Sequence, residues 1–475
     1  MPLILPGNVA SATASTTYDV DNSCRFFSDT SLHKDNGASS TNRDKYTFSF
    51  WYKKCANGVD QKIIMVSGSG TQGDGNDDYM QGYFKTDDTF RWQEYDTDLG
   101  SPSDELVTTQ VFRDPSAWMH FVLRFDSTSG TADDRMRIYV NGTQVTAFGT
   151  RANPDQNIDG WFADDDAGIA IGGVSSQFCN GYLAEVVGVD GQSLAPTEFG
   201  EFSEDSPNIW IPKNVSGITL GNNGFYLDFK DSANLGNDAG GGTDFSEVNL
   251  AATDSSTDSP TNNFCTINPL LQESDTTLSE GNLNYSDSNS NFKGVTGTIA
   301  AKNGKWYAEM KITTVGSTGV GIVDPDQAAG AVAETPGSQS RGYSLSNERD
   351  VYNNNSIISG YTDWTGTYTD GDIIGVAMDL DNNKLYFSKG GAWSDGDGAW
   401  DSTTFDAAVG VVNITADYYY TFALSAYNGA GSLNFGSPSF SISSGNADAN
   451  GYGNFEYAVP SGYYSLCTKN LAEYG

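Results

Sequence analysis

The sequence predicts an all-β protein made of two β-sandwiches joined by a polar connector. Short runs in which Val, Ile, Tyr, Phe and Thr alternate with polar residues recur along the chain, separated by Gly, Asn, Asp and Ser. This pattern is typical of sandwiches and barrels, because alternate side chains of a strand face opposite sides of its sheet. No convincing amphipathic stretch of about 12 residues or more predicts a long helix. The 475 residues correspond to two or three domains at roughly 150 residues each.

Each half of the chain carries a pair of runs that predicts an antiparallel hairpin. In the first half, a strand over 118–125 enters a polar turn at Asp126 and returns over 135–140. In the second half, a strand over 371–378 enters a turn at Asp379 and returns over 384–388. Asp and Asn suit such turns because their side chains bond to nearby backbone and tolerate left-handed φ. We therefore interpret the halves as two copies of one architecture.

A change of composition separates the two halves. From residue 231 to 291 the chain is dominated by Ser, Thr, Asn, Asp and Gly, with short apolar islands in or beside it. A flexible linker is the alternative, but a pure linker would lack such islands. We predict a first domain over 1–215, an ordered polar connector with short strands over 216–281, and a second domain with a C-terminal segment over 282–475.

Charge and cysteine usage exclude several classes of protein. Lys and Arg number 25 and Asp and Glu 61, so the formal net charge is 25 − 61 = −36. Without a basic face, nucleic acid is not an expected partner, and 12% aromatic residues argue against a disordered acidic tail. The five cysteines are scattered without CxxC spacing, which favours free or buried thiols in a protein made in a reducing cytoplasm. Residues 1–8 do not resemble a signal peptide and no run is long enough to insert into a membrane.

The second half resembles a SPRY (B30.2-like) domain over about 282–437. The resemblance implies a concanavalin-like β-sandwich that is used for binding and whose loops select the ligand. One departure from the family is a missing Pro in its Pro-Ala-Val strand, where residues 409–411 read VGV. The motifs that carry the resemblance, in order, are 304–311 (GKWYAEMK), 320–323 (VGIV), 341–345 (RGYSL), 371–381 (GDIIGVAMDLD) and 433–436 (LNFG).

The first half resembles a laminin-G-like, concanavalin A-like jelly roll over about 18–202. Together, the two resemblances specify the predicted fold class as two concanavalin A-like jelly-roll β-sandwiches joined by a polar connector. The motifs of the first half are 48–53 (FSFWYK), 118–123 (WMHFVL), 137–142 (RIYVNG), 169–173 (IAIGG) and 181–186 (GYLAEV).

The combination of these halves is similar to virion proteins of tailed bacteriophages. Two further segments resemble those proteins, namely 258–264 (DSPTNNF) and 460–471 (PSGYYSLCTKNL). The resemblance implies a tail fibre or receptor-binding protein that recognises a host surface glycan or protein. The alternative is a capsid-surface or tail structural protein that uses its sandwiches as assembly interfaces. Other virion proteins are the expected partners, a homo-oligomer is the expected state, and the virion is the expected location.

The sequence contains few residues or motifs that suit catalysis. It has two histidines, His33 in a predicted polar loop and His120 in a predicted strand, and no G-x-S-x-G elbow. The stretch from Glu94 to Leu99 approaches the E-x-D-x-x-E spacing of some glycosidases on this fold but lacks the final Glu. We therefore predict a non-enzymatic protein and keep a glycan-degrading enzyme as a minor hypothesis.

Two groups of residues are candidates for ligand contacts. Clustered carboxylates suit calcium, which takes oxygen ligands, although a solvated acidic loop is the simpler interpretation and no cofactor is expected to be required. Aromatic rings beside Asp in Gly-rich loops suit a sugar or protein ligand, unless the rings only cap the sandwich edges. The candidate calcium ligands are Asp74, Asp77, Asp78, Asp164, Asp165 and Asp166, and the candidate ligand-binding residues are Tyr361, Asp363, Trp364, Trp393, Asp395, Asp397 and Trp400.

Overall fold

The computed structural model confirms an all-β protein. It describes residues 3–5, 18–67, 78–95, 104–272, 275–288, 292–328, 335–348, 350–358, 367–394 and 400–475. The described chain forms two compact units. The first unit comprises residues from 18 to 261, and the second comprises residues 3–5 together with 262–475. Within the described ranges, no helix is long and apolar enough to span a membrane.

The first unit contains two main sheets and two small hairpins. One eight-stranded sheet has the order β10-β9-β8-β3-β15-β1-β20, with β18 also paired to β15, and the other has the order β11-β7-β6-β5-β4-β12-β2-β19. The strands in chain order are β1 (Ser23–Phe26), β2 (Ser31–Asp35), β3 (Lys45–Lys54), β4 (Gln61–Ser67), β5 (Tyr79–Phe84), β6 (Thr89–Tyr95), β7 (Asp104–Val111), β8 (Trp118–Asp126), β9 (Met136–Val140), β10 (Thr143–Gln144), β11 (Phe148–Ala152), β12 (Gly168–Ile171), β13 (Gly173–Val174), β14 (Gln177–Phe178), β15 (Gly181–Asp190), β16 (Gly200–Phe202), β17 (Trp210–Pro212), β18 (Phe225–Leu227), β19 (Ser246–Val248) and β20 (Ser255–Ser256).

Alternation along β3 builds the core of the first unit. Phe48 and Phe50 are fully buried between the sheets, where the rings of Phe50 and Phe121 stack with centroids 5.3 Å apart. The opposite face of β3 carries Trp51, which packs with Trp118 and Trp210 in a second apolar cluster. Both faces of this strand are therefore buried, which explains why its centre, 48–52 (FSFWY), carries large aromatic residues on both faces.

The predicted polar connector contributes strands to the first unit. Phe225–Leu227 pairs with β15, Ser246–Val248 with β2, and Ser255–Ser256 with β1. Phe225 and Leu227 are fully buried in the core between the main sheets. The apolar islands of this polar segment are therefore the residues that pack.

The second unit contains a ten-stranded and a six-stranded sheet. The orders are β21-β22-β35-β24-β29-β30-β31-β32, with β33 paired to β30 and β36 to β24, and β23-β34-β25-β26-β27-β28. Its strands are β21 (Thr276–Ser279), β22 (Asn284–Asp287), β23 (Lys293–Thr296), β24 (Lys305–Thr314), β25 (Ser317–Val323), β26 (Gly342–Ser346), β27 (Val351–Asn353), β28 (Ser356–Ile357), β29 (Ile373–Asp379), β30 (Lys384–Lys389), β31 (Ala392–Ser394), β32 (Trp400–Ser402), β33 (Val412–Asn413), β34 (Thr421–Tyr427), β35 (Ala430–Asn434) and β36 (Tyr464–Ser465), and its helices are α1 (Pro325–Ala328) and α2 (Thr468–Tyr474).

Residues from the start of the chain complete the second unit. Ile4 forms a parallel bridge with Ile299, and its side chain is buried in the main apolar core of this unit. The Ile4 amide donates to the Thr298 carbonyl at 2.9 Å, and the Ala300 amide donates to the Ile4 carbonyl at 3.1 Å. The first unit is therefore inserted, along the sequence, between Ile4 and the remainder of the second unit.

The C-terminal segment covers the outer face of the ten-stranded sheet. Phe455 and Tyr463 pack on Tyr307 and Tyr386 in a buried aromatic cluster. The buried Glu309 carboxylate fixes this segment by accepting the backbone amides of residues 456 and 457, at 2.9 and 2.8 Å. The second unit thus has one sheet whose outer face is covered by its own chain.

Both predicted hairpins are present. Strand β8 pairs antiparallel with β9, and β29 pairs antiparallel with β30. At the second turn Asn383 adopts φ +58°, the left-handed conformation that Asn tolerates better than most residues. One local prediction is wrong: His33 lies on β2 rather than in a loop.

A polar groove as the candidate binding site

A cavity of about 600 Å³ opens on the six-stranded sheet of the second unit. Its volume falls within the roughly 300–1,000 Å³ of small-molecule sites. We call this cavity, with its lining residues, the serine groove. The groove is lined by Phe292, Ser317, Thr318, Gly319, Thr335, Ser338, Ser344, Ser346, Asn347, Glu348, Tyr352 and Asn355.

Strand alternation supplies the polar floor. On β25, Val320 and Ile322 enter the core, and on β26, Leu345 does the same. Neighbouring positions on these strands therefore face outward, and there the sequence places Ser317, Gly319, Ser344 and Ser346. Because these side chains are small, the outer face of the sheet leaves a depression rather than a filled surface.

Aromatic rings stand among the walls of the groove. Tyr352, on β27, is half-buried, and Phe292, just before β23, is 36% exposed. A short 3-10 turn at Pro336–Ser338 lies against β26, where the Gly337 amide donates to Ser344 Oγ at 3.1 Å. A Cβ at Gly337 would approach Ser344 Oγ and Tyr352 Cβ to 2.6 Å each, so the close packing of this wall requires glycine.

Several polar groups of the groove have no partner in the described part of the chain. The Ser317 hydroxyl, the Tyr352 hydroxyl and the Asn355 side-chain amide make no hydrogen bond there. Asn347 uses its Oδ1 to accept the Thr318 amide at 3.0 Å, which leaves its NH₂ group available. The groove therefore combines solvent-accessible donors and acceptors with aromatic surface, which is the composition of a polar ligand site.

Glu348 is the charged residue among the described lining side chains, and it is exposed at the rim. Partial burial, together with Asp350 and Glu348, raises the pKa of Tyr352. The Tyr352 hydroxyl is consequently protonated at neutral pH and can both donate and accept a hydrogen bond.

The predicted ligand-binding residues lie elsewhere or outside the described ranges. Trp393, on β31, is 6% exposed and packs edge-on against Phe405 with centroids 4.9 Å apart. Trp400 begins β32 and is half-buried against the core. The remaining five, Tyr361, Asp363, Trp364, Asp395 and Asp397, lie outside the described residues.

The six candidate calcium ligands are likewise either outside the described ranges or in separate places. Asp74 and Asp77 lie outside the described residues, and Asp78 directly precedes β5. Asp164 is buried and lies 2.6 Å from Arg43 Nη1, so a guanidinium already neutralises this carboxylate, while Asp165 and Asp166 are exposed. No three His, Cys, Asp or Glu residues of the described chain are grouped to hold a metal. Calcium binding stays a prediction.

His120 is satisfied within the first unit and unsuited to act as a base. The Trp210 indole N–H donates to His120 Nδ1 at 2.9 Å, so the proton of the neutral ring is on Nε2, 2.8 Å from Ser49 Oγ. Burial lowers the pKa of His120 to about 3. The predicted packed strand residue is confirmed.

Glu94 also lies inside the sandwich rather than at an accessible site. It is 5% exposed, accepts a hydrogen bond from the Tyr46 hydroxyl, and accepts the Trp161 amide at 3.2 Å. Burial raises the pKa of Glu94 to about 8. The other acidic positions of its stretch, Asp96 and Asp98, lie outside the described residues.

All five cysteines are buried thiols outside any disulfide, as the sequence predicts. Burial raises the pKa of Cys179 and Cys467 to about 12, so neither supplies a thiolate at neutral pH.

The serine groove itself was missed at the sequence level. Its signal was the alternation of Ser or Gly with apolar residues in 317–321 (STGVG) and 342–346 (GYSLS). That alternation predicts a strand with a polar outer face, but it does not show that the outer face is concave.

These sheets define the first unit as an all-β sandwich of the concanavalin A-like, laminin G-like class. Residues 28–192 match the Laminin_G_3 family model, described as the concanavalin A-like lectin/glucanases superfamily. A comparison with curated proteins finds no match.

Solved structures with partial likeness include three of interest. A putative carbohydrate-binding protein from Bacteroides ovatus is 16% identical, with a TM-score of 0.34, covering 49% of this chain and 59% of that one. The SPRY domain of human HERC1 is 12% identical, with a TM-score of 0.26, covering 35% and 96%. The LG1-3 region of the laminin alpha2 chain is 11% identical, with a TM-score of 0.33, covering 89% and 63%. With TM-scores this low, we infer no ligand or partner from them.

Proposed function

We propose that this protein is a non-enzymatic recognition protein of a bacteriophage particle, a tail fibre or receptor-binding protein that binds a glycan or protein on the host surface. The observation that carries the binding role is the serine groove, because it joins unpaired polar groups and aromatic rings in one cavity. The phage setting rests on the resemblance of the combined halves and of the C-terminal segment to virion proteins.

Two features of the described chain support binding rather than catalysis, whereas the family match, to a superfamily of both lectins and glucanases, is compatible with either. His120 and the five cysteines are buried, which is unfavourable for a nucleophile or a base that must reach a substrate. The Glu94 carboxylate is enclosed, where it accepts hydrogen bonds from the Tyr46 hydroxyl and the Trp161 amide.

The experiment measures binding of the purified full chain to a panel of bacterial strains by flow cytometry. Ser317→Trp fills the groove from the start of β25, where Ser317 is half-buried and free of side-chain bonds. We expect this variant to lower the apparent affinity at least about tenfold, a loss of roughly 1.4 kcal/mol.

The matched control is Thr313→Trp, which places the same side chain at an exposed position of β24 outside the groove. It should bind as the unsubstituted protein does. Folded protein that binds no strain, or a Ser317→Trp variant with unchanged binding, would contradict the proposal.

A further inference from the structure

We infer that the serine groove binds a neutral mono- or disaccharide, with an apolar face of the sugar against Tyr352 and its hydroxyls bonded to Ser317, Asn355 and Ser344. This inference rests on the proposed function and specifies its ligand. It follows from the hydrogen-bonding groups, the aromatic wall, the strand pairing of the floor and the charge of the lining.

The unpaired groups match the chemistry of sugar hydroxyls. Ser317 Oγ, Tyr352 Oη and the Asn355 amide have no partner in the described chain, and each can both donate and accept. Ser344 Oγ accepts the Gly337 amide and keeps its own proton to donate. A sugar hydroxyl likewise donates one hydrogen bond and accepts others. A polyol would therefore satisfy these groups, whereas an apolar ligand would bury them unpaired at a cost of about 1–3 kcal/mol each.

The aromatic wall supplies the apolar half of the site. Tyr352 is half-buried, so its ring is held by the protein and yet lines the cavity. A pyranose presents C–H groups on one face and hydroxyls around its edge. Placing the C–H face on the Tyr352 ring directs the hydroxyl edge toward the serine floor.

The pairing of the floor strands argues against a peptide. Strand β25 is paired on both sides, with β34 and β26, and β26 is paired with β25 and β27. The floor consequently has no free backbone edge to which an extended peptide could add. The described lining also lacks the row of apolar pockets that would take alternate side chains of a strand or the anchors of a helix.

The charge of the described lining argues against an anionic ligand. No Lys or Arg is among those residues, and Glu348 places a negative charge at the rim. The net charge of −36 adds long-range repulsion of anions. A neutral sugar avoids both costs.

Saturation-transfer NMR on the full chain tests the inference. The probes are glucose, galactose, mannose, N-acetylglucosamine and maltose, with glucuronic acid and a tetra-alanine peptide as competing classes. We expect transfer from at least one neutral sugar, strongest at the ring protons of one face, and none from the acid or the peptide.

Variants of the aromatic wall assign the signal to the groove. Tyr352→Ala should weaken binding of that sugar about tenfold, since aromatic contacts contribute roughly 0.5–1.5 kcal/mol beyond area burial, while Tyr352→Phe retains the ring and most of the affinity. Tyr419→Ala is the matched control, because Tyr419 is 38% exposed and does not line the groove. Ser317→Trp blocks the cavity without removing the wall, so the inference stays testable if Tyr352→Ala does not fold.

The outcomes separate the ligand class from the proposed function. Transfer from the peptide or the acid alone, or neutral-sugar binding that is equal in Ser317→Trp, would overturn the saccharide assignment. If cell binding is lost on protease treatment of the cells but survives periodate oxidation, the ligand is a protein: the proposed function then stands and this inference fails. Sugar binding without binding to any strain supports the ligand class and refutes the host-surface role.

Discussion

Asp258 links the polar connector to the core of the first unit. Its Oδ2 lies 2.6 Å from Lys53 Nζ, and its Oδ1 accepts the Trp118 indole N–H at 3.0 Å. Both charged side chains are at most 1% exposed. The two ions are 205 residues apart in sequence, so local sequence patterns do not reveal their pairing.

Asp258→Ala is expected to lower the free energy of unfolding of the first unit by about 3–5 kcal/mol, because it removes the carboxylate that lies 2.6 Å from the buried Lys53 ammonium. Chemical denaturation followed by tryptophan fluorescence measures the loss. Glu204→Ala, at an exposed position, should change stability by less than about 0.5 kcal/mol. Equal effects of the two substitutions would show that the buried pair has no structural role.

The raised pKa of Glu94 predicts that its contribution to the free energy of unfolding varies with pH in the direction opposite to that of most carboxylates. Its pKa in the folded protein is raised to about 8 from an ordinary 4.5. The unfolded chain therefore binds fewer protons between these values. The stability contributed by the protonated group is complete below pH 4.5 and is lost as pH rises through about 8.

Glu94→Gln mimics the protonated side chain and should remove this loss. We expect the variant to melt at a higher temperature than the unsubstituted protein at pH 9 and at nearly the same temperature at pH 5. Calorimetry across this range measures the difference, and Glu204→Gln, at an exposed site, controls for the change in net charge. A difference between the two proteins that does not vary with pH would refute the assignment of this pKa.

At the scale of elements, the alternation of apolar and polar residues predicted strands, but it did not predict which chain segments pack on the outer faces of the sheets. The β8–β9 and β29–β30 hairpins follow from alternating runs that meet Asp and Asn turns. The contact of Phe455 with Tyr307 joins distant segments, and no local pattern shows that one outer face is covered while the neighbouring sheet carries an open groove. The groove was unpredicted for this reason, although the resemblance motifs at 320–323 and 341–345 indicated two of its strands, β25 and β26.

The bridge at Ile4 is the element for which sequence and structure differ most. A three-residue apolar stretch near the start of the chain is too short to predict a secondary-structure element, yet Ile4 is buried in the second unit. Ile4→Ala should destabilise that unit by roughly 2–5 kcal/mol, the usual range for a buried Ile.

Hydrogen exchange locates the effect of Ile4→Ala. The Ala300 amide, which donates to the Ile4 carbonyl, should exchange faster, while amides of the first unit keep their protection. Leu270→Ala, in the same unit but 42% exposed, is the control. Unchanged exchange at Ala300 would indicate that the bridge does not form in solution.

At the scale of the whole molecule, the excess of acidic residues is the dominant electrostatic feature. In the described chain the buried carboxylates of Asp258 and Asp88 are paired with lysines, whereas acidic turn residues such as Asp165 and Glu348 are exposed. A net charge of −36 destabilises the compact state by self-repulsion. Salt screens that repulsion, because the Debye length falls from about 30 Å at 0.01 M to about 8 Å at 0.15 M.

The melting temperature at pH 8 should therefore rise as NaCl is increased from about 0.01 M to about 0.5 M, with most of the rise below about 0.15 M, where the screening length changes most. The same titration near pH 4.1, the isoelectric point of the sequence, provides an internal control. There the net charge is close to zero, so the rise in melting temperature caused by screening should nearly vanish. Any general effect of the salt on apolar burial is still present at that pH. A rise of equal size at both pH values would assign the salt effect to apolar burial. A fall at pH 8 would mean that surface ion pairs such as Lys45–Asp126 outweigh the repulsion among the excess carboxylates.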